Sequence, residues 1–199
     1  MSGYTSFAVV GTGFIGLAIT KALVDQKASV VVLTRALSKP GLDLGDGVKV
    51  ASVDYGDNTA IIRVLEEHHV QVIISALGTG GLSVQNAIAD ASKAAGVKLF
   101  VPSEFGLPTE GAVDGVFAVK NKSAEYIQSI GVPTARFYNG FFTERSLNVV
   151  GYTVNKKVNI LDGLKGETPI SFTGIEDAAG FVAHVLTRLH PAELDNQIF

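Results

Sequence analysis

From Phe7 to Tyr138, apolar runs of strand length alternate with segments of helical period. That alternation is the signature of strand–helix–strand units and a parallel sheet. Residues 7–11 read as the first strand and residues 14–25 as a helix, with Ile15, Ala18, Ile19, Ala22 and Leu23 on one face. Residues 29–34 are almost wholly apolar, which predicts a second strand buried on both faces. Further strands are expected at residues 48–53, 70–76, 99–101 and 134–138. Helices are expected at 57–67, with Asp57 or Asn58 as cap, at 83–95, ending at Gly96, and at 115–130, ending at Gly131. After Tyr138 the pattern is less regular: short strands at 158–161 and 170–173, an amphipathic helix at 176–189, and the start of a strand at 196–199. The expected fold is α/β, a Rossmann-type doubly wound parallel sheet in one domain over residues 1–199, with 139–175 contributing to a partial second lobe.

Composition narrows the function classes. Hydrophobic residues make up 47% of the 199 and charged residues 18%, so a buried core is expected rather than disorder. Net charge is −3 with the basic residues scattered, which argues against nucleic acid as a partner. Cysteine is absent, so thiolate catalysis, disulfides and thiolate metal sites are excluded. His68, His69, His184 and His190 do not fall at metal-ligand spacings, and no metal is expected. No run approaches the ~18 apolar residues of a membrane helix. The entry into a strand at Phe7 without a basic, then apolar, leader reads as a cytoplasmic protein.

The chemistry begins at Gly11-Thr12-Gly13-Phe14-Ile15-Gly16, a G-x-G-x-x-G between an apolar strand and a helix. In such a loop the first glycine makes a tight turn, the second lets backbone approach a pyrophosphate, and the third lets helix pack on strand. The helix N-terminus then faces the phosphates with partial positive charge. At the end of the second strand, where an NAD-selective site places a carboxylate, this chain has Thr34-Arg35. A guanidinium there can pair with a 2′-phosphate, which favours NADP(H); a surface arginine at a strand end is the alternative.

The glycine loop, Thr34-Arg35, the run Pro102-Ser103-Glu104-Phe105-Gly106, and Lys120-Asn121-Lys122 leading to Gly131-Val132-Pro133-Thr134 together carry a family resemblance. So does Phe172-Thr173-Gly174-Ile175-Glu176-Asp177. The chain resembles the NmrA-like branch of the atypical short-chain dehydrogenases, in particular the isoflavone reductase and phenylcoumaran benzylic ether reductase group. The resemblance implies Lys120 as general acid/base and as a cofactor contact. It also implies cofactor contacts at Pro102, Ser103 and Phe105 near the nicotinamide, at Ser75, Ala76, Leu77 and Gly78 along the ribose and adenine side, and at Asp54 near the adenine. Lys122, two positions on, should project about 200° away from Lys120. The family usually has glycine where this chain has Val10, and its longer members build the substrate pocket from their C-terminal portion, so a small, incomplete substrate lobe is expected here.

Phe137, Tyr138, Phe141 and Phe142 flank Asn139 at the end of the sixth strand, where a small aromatic substrate would lie in an open α/β sheet, with Tyr138, Asn139, Phe141 and Phe142 as its contacts; core packing of the second lobe is the other reading. Tyr152 and Lys156 fit Y-x-x-x-K, but after the sixth strand rather than before it, and they read as a chance match in a loop. Two functions follow from the resemblance. One is an NADPH-dependent reductase; the other is a non-catalytic dinucleotide sensor that controls a regulatory partner protein.

Overall fold

The computed structural model describes residues 3–35, 44, 47–159 and 169–199. Strands β1 (Ser6–Val10), β2 (Ser29–Thr34), β3 (Lys49–Ser52), β4 (Val72–Ser75) and β5 (Leu99–Val101) form a parallel sheet in the order β3-β2-β1-β4-β5. Helices α1 (Phe14–Asp25), α2 (Asn58–Glu67), α3 (Gln85–Ala94) and α4 (Gly115–Ser129) make the crossovers. The alternation of side chains along each strand sends apolar groups to both faces. Phe7 and Val9 pack with Ile19 and Leu23 of α1 and Val182 and Leu186 of the later helix α7 (Ile175–Arg188). Ala8 and Val10 pack with Ile61 and Leu65 of α2, Ile88 of α3 and Ile127 of α4. This is the doubly wound arrangement expected from the sequence.

Local chemistry fixes the ends of the elements. Gly11 turns the chain at a φ of 105°, so the first strand stops at Val10. His69, at φ 49°, folds the end of α2 back, and Val70 donates to Leu65 O at 2.9 Å, which delays β4 to Val72. Ahead of α3, Thr79–Val84 wind as a tighter 3-10 turn through Gly80 and Gly81. The expected sixth strand at 134–138 is extended, but its partners change along it. Thr134 bridges to Phe100, β6 (Ala135–Arg136) pairs in parallel with β9 (Gln197–Ile198), and Tyr138 bridges to Gly106.

Between β6 and α7 the structure holds more than the sequence suggested. β7 (Phe141–Phe142) pairs in parallel with β8 (Phe172–Thr173). A 3-10 turn (Thr143–Arg145) and two one-turn helices, α5 (Ser146–Val149) and α6 (Tyr152–Asn155), follow β7. Residues 152–155, read as loop, are therefore helical, entered through Gly151 at φ 71°. Val158 and Asn159 lie in no strand, and residues 160–161 of that expected strand fall outside the described residues.

A buried ion pair joins the end of β5 to β6. Glu104, just past β5, and Arg136, in β6, have side chains 0% and 7% exposed, with Nη2 to Oε1 at 2.9 Å. Arg136 Nε donates to the same oxygen at 3.0 Å. Thr109 Oγ1 donates to the carboxylate at 3.1 Å and accepts from Arg136 Nη2 at 2.6 Å, while Asn121 Oδ1 of α4 accepts from the guanidinium at 3.3 Å. Removing one partner strands a charge in the interior, which typically costs about 3–5 kcal/mol. Arg136→Met should lower stability by that order in urea denaturation. The double change Glu104→Leu with Arg136→Met should recover more than half of the loss; a double variant as unstable as the single one would refute the stranded-charge account.

Candidate dinucleotide and substrate site

The carboxyl ends of the parallel strands converge on one edge, where loop backbone and helix N-termini are exposed to a ligand. Each glycine of the first loop has a distinct reason to be glycine. At Gly11 a Cβ would meet Ala76 O at 2.9 Å in addition to the positive φ. At Gly16 it would run into the Gly11 carbonyl and lie 3.0 Å from Ala76 Cβ, so α1 sits directly against the strand ends. At Gly13, the residue preceding α1, a Cβ would meet nothing within 4 Å. No side chain caps α1, and its first-turn amides open onto that clear space. Thr12 completes the loop beside them, and Ile15 is buried under it.

Thr34 is buried at the end of β2, where its carbonyl accepts from Val53 N at 3.0 Å. Arg35 is exposed, with its guanidinium 5.8 Å from the centre of the Tyr55 ring. Tyr55 is held in place by donating to Leu33 O at 2.9 Å; burial pushes its phenol up to about 12, against the lowering effect of Arg35. Asp54, next to Tyr55, is exposed and accepts from Gly56 N at 2.9 Å. The carboxyl ends of β2 and β3 therefore present an arginine over one aromatic ring and an aspartate next to that tyrosine in sequence.

At the end of β4, Ser75 is fully buried, and its Oγ has no hydrogen-bond partner among the described residues. Ala76 is buried, Leu77 O accepts from Ser103 Oγ at 2.6 Å, and Gly78 opens the following turn. Past β5, Pro102 and Ser103 are buried, and Ser103 N donates to Gln85 Oε1 at 2.9 Å. Phe105 has φ 35°, a left-handed backbone for a bulky residue, and is pinned by its amide to Phe137 O at 3.1 Å. Such a conformation costs on the order of 1–3 kcal/mol and persists only where the surroundings enforce it.

Lys120 reaches this turn from α4. Its Nζ donates to Glu104 O at 2.5 Å. Burial lowers its pKa, and the Glu104 carboxylate acts in the opposite direction. Lys122 is exposed. On the other side of the same turn, Gly106 O accepts from Asn139 N and Gly140 N, both at 3.1 Å. Tyr138, Asn139 and Phe141 line a groove of ≈ 630 Å³, together with Leu107, Pro108 and Ile170. Burial pushes the Tyr138 phenol up, its ring lies 5.6 Å from the Arg136 guanidinium, and its hydroxyl is 3.4 Å from Thr109 Oγ1. Asn139 Oδ1 is buried with no hydrogen-bond partner among the described residues. Phe142 does not line the groove: it is buried beneath the glycine loop, edge-on to Phe14 at 5.2 Å.

The sequence reading missed Glu104, Thr109, Asn121 and Arg136 as a unit, and Arg145, whose guanidinium stacks 4.5 Å from the Phe14 ring centre. One signal was present: Glu104 and Arg136 are opposite charges inside two apolar runs, and buried charges require partners. Among the described residues no acid–histidine cluster could hold a metal, and no helix is long and apolar enough to cross a membrane.

Comparison with known proteins agrees with this architecture. An oxidoreductase of Botryotinia fuckeliana is 37% identical over 100 residues, covering 48% of this chain and 33% of its own. A phenylcoumaran benzylic ether reductase of Populus trichocarpa is 30% identical over 189 residues, covering 86% of this chain and 61% of its own. The chain thus spans from a third to about three fifths of the length of these curated relatives. The solved complex of leucoanthocyanidin reductase with NADPH from Vitis vinifera shares the fold, with a TM-score of 0.78 at 21% identity over 97% of this chain and 66% of that one. The NmrA-like family profile matches residues 6–198, and the chain belongs to that family.

Proposed function

We propose that this chain binds NADP(H) and serves as an NADPH-dependent reductase of a small aromatic substrate, with Lys120 as general acid/base. The observation that carries the reading is the clear space at Gly13 over the uncapped start of α1, framed by two glycines that cannot be replaced without collision. An uncapped helix start with room above it suits a pyrophosphate. Arg35, propped on Tyr55, suits a 2′-phosphate. The dinucleotide, when bound, supplies the hydride. The chain's own residues do the rest. Phe105 and Pro102 wall the nicotinamide end, Asp54 and residues 75–78 flank the adenosine half, and Tyr138, Asn139 and Phe141 hold the substrate in the groove. Lys120, which does not line that groove, holds a proton at Nζ for a substrate oxygen that reaches past the 102–106 turn, and burial lowers the cost of releasing it. The relatives' substrate names, a benzylic ether among them, support an aromatic substrate.

One observation favours a second reading, a dinucleotide-binding regulator of a partner protein. The Lys120 amine is already satisfied by a backbone carbonyl, as a structural lysine would be. Turnover separates the two readings: NADPH oxidation with a panel of aromatic enones, quinones and benzylic ethers is expected for the reductase and absent for the regulator.

Three variants and one control probe the reading at separate points. Arg35→Ala should weaken NADPH binding by about 1.5–3 kcal/mol while leaving NADH nearly unchanged; equal losses by calorimetry would remove Arg35 as the phosphate reader. Gly13→Val should fold normally, since a Cβ there has no neighbour within 4 Å, yet bind neither cofactor. Lys120→Ala should keep NADPH affinity within a few-fold and lower turnover by ~10²–10⁴, whereas Lys122→Ala should change turnover little. Both changes remove one positive charge from the same helix, so similar kinetics for the two would sink the acid/base role.

A further inference from the structure

Arg145 follows β7 in the 3-10 turn Thr143–Arg145, far in sequence from the glycine loop. Its guanidinium nevertheless stands 4.5 Å from the centre of the Phe14 ring. Phe14 is the first residue of α1 and directly follows Gly13, where the space is clear. Phe142 meets the same ring edge-on at 5.2 Å, so both β7 and its turn are fastened to the first residue of α1. The acidic neighbour, Glu144, is committed elsewhere: its carboxylate accepts from Ile175 N at 3.0 and 3.2 Å and caps the start of α7. Among the described residues no carboxylate pairs with Arg145, which is exposed.

A pyrophosphate brings about two negative charges, whereas a helix start offers roughly half a positive charge. The glycine loop and α1 alone leave most of that charge uncompensated. We infer that Arg145 is a second cationic contact for the dinucleotide, reaching its pyrophosphate from the turn after β7; this rests on the NADP(H) reading given above. Stacking on Phe14 holds the side chain beside the loop without consuming its hydrogen-bond donors, because a ring face engages the cation and leaves its N–H edge available. Arg35 at the adenosine end and Arg145 at the pyrophosphate then bracket the ligand, and each can be lost separately.

The test is calorimetric titration of the full chain with NADPH, 2′-phospho-ADP-ribose, which keeps the pyrophosphate without the nicotinamide, and 2′,5′-ADP, which lacks the second phosphate of the bridge. Arg145→Gln should weaken the first two by about tenfold and leave 2′,5′-ADP within about twofold, and Arg145→Lys, which keeps the charge but not the stacked planar fork, should recover part of the loss. Equal weakening of all three ligands would make Arg145 a packing support for Phe14 and overturn the inference. So would unchanged affinities in Arg145→Gln while the unmutated chain still binds NADPH. An unmutated chain that binds no NADPH would instead overturn the cofactor reading, and this inference with it.

Discussion

The Glu104–Arg136 pair is the constraint on which the rest of the site depends. One carboxylate oxygen receives two guanidinium nitrogens, and Thr109 and Asn121 take up remaining hydrogen-bonding capacity. The pair ties together the end of β5, strand β6, the loop at Thr109 and helix α4. Its net contribution to stability need not be large, because desolvating two charges offsets most of their attraction. What it fixes is geometry: two charges buried in apolar surroundings tolerate few alternative arrangements, since nearly every slip leaves one of them unpaired. The backbone of Glu104 is thereby held where its carbonyl meets Lys120, and the next two residues are held where they meet Phe137, Asn139 and Gly140.

That placement links the two halves of the proposed function. The dinucleotide side is built from backbone: glycines, helix amides and the ends of β1 and β4. The proposed substrate side is built from Tyr138 and Asn139, which follow β6, and Phe141 of β7, across a groove from residues near β8. The turn at 102–106 belongs to both, and it is where the backbone is strained. Phe105 would relax from φ 35° if its amide lost Phe137 O or its side chain lost its buried seat. The pair between Glu104 and Arg136 bears on both contacts, since it anchors the residue before Phe105 and the residue before Phe137.

Legibility in the sequence followed the range of the interactions. Strands covered on both faces announced themselves as apolar runs, and the glycine loop was readable because its requirements are local: a positive φ, a clear space and a close approach within six residues. Element ends were less readable because distant partners set them. The run at 134–138 looks like one strand, yet it pairs in turn with Phe100, β9 and Gly106. The ion pair crosses 32 residues and has no spacing to detect. Phe141 and Phe142 illustrate a signal that was available and unused. Neighbours on a strand face opposite sides, so only one of them could line the groove, and the structure turns Phe142 onto Phe14 instead.

The charge on Lys120 shows how the same pair reaches into the chemistry. Two influences act on the amine. Burial disfavours the ammonium, while the nearby Glu104 carboxylate favours it, and burial prevails. An unpaired carboxylate close to an amine in a low-dielectric setting would normally win that contest and hold the proton firmly. Here Arg136 pairs with that carboxylate at 2.9 Å, and the carboxylate's pull on the Lys120 proton is outweighed by burial. Glu104 therefore positions the lysine through its backbone carbonyl while its side chain is engaged with Arg136. In the proposed reductase, a lysine oriented by that carbonyl, with burial favouring release of its proton, suits the donor role assigned to it there.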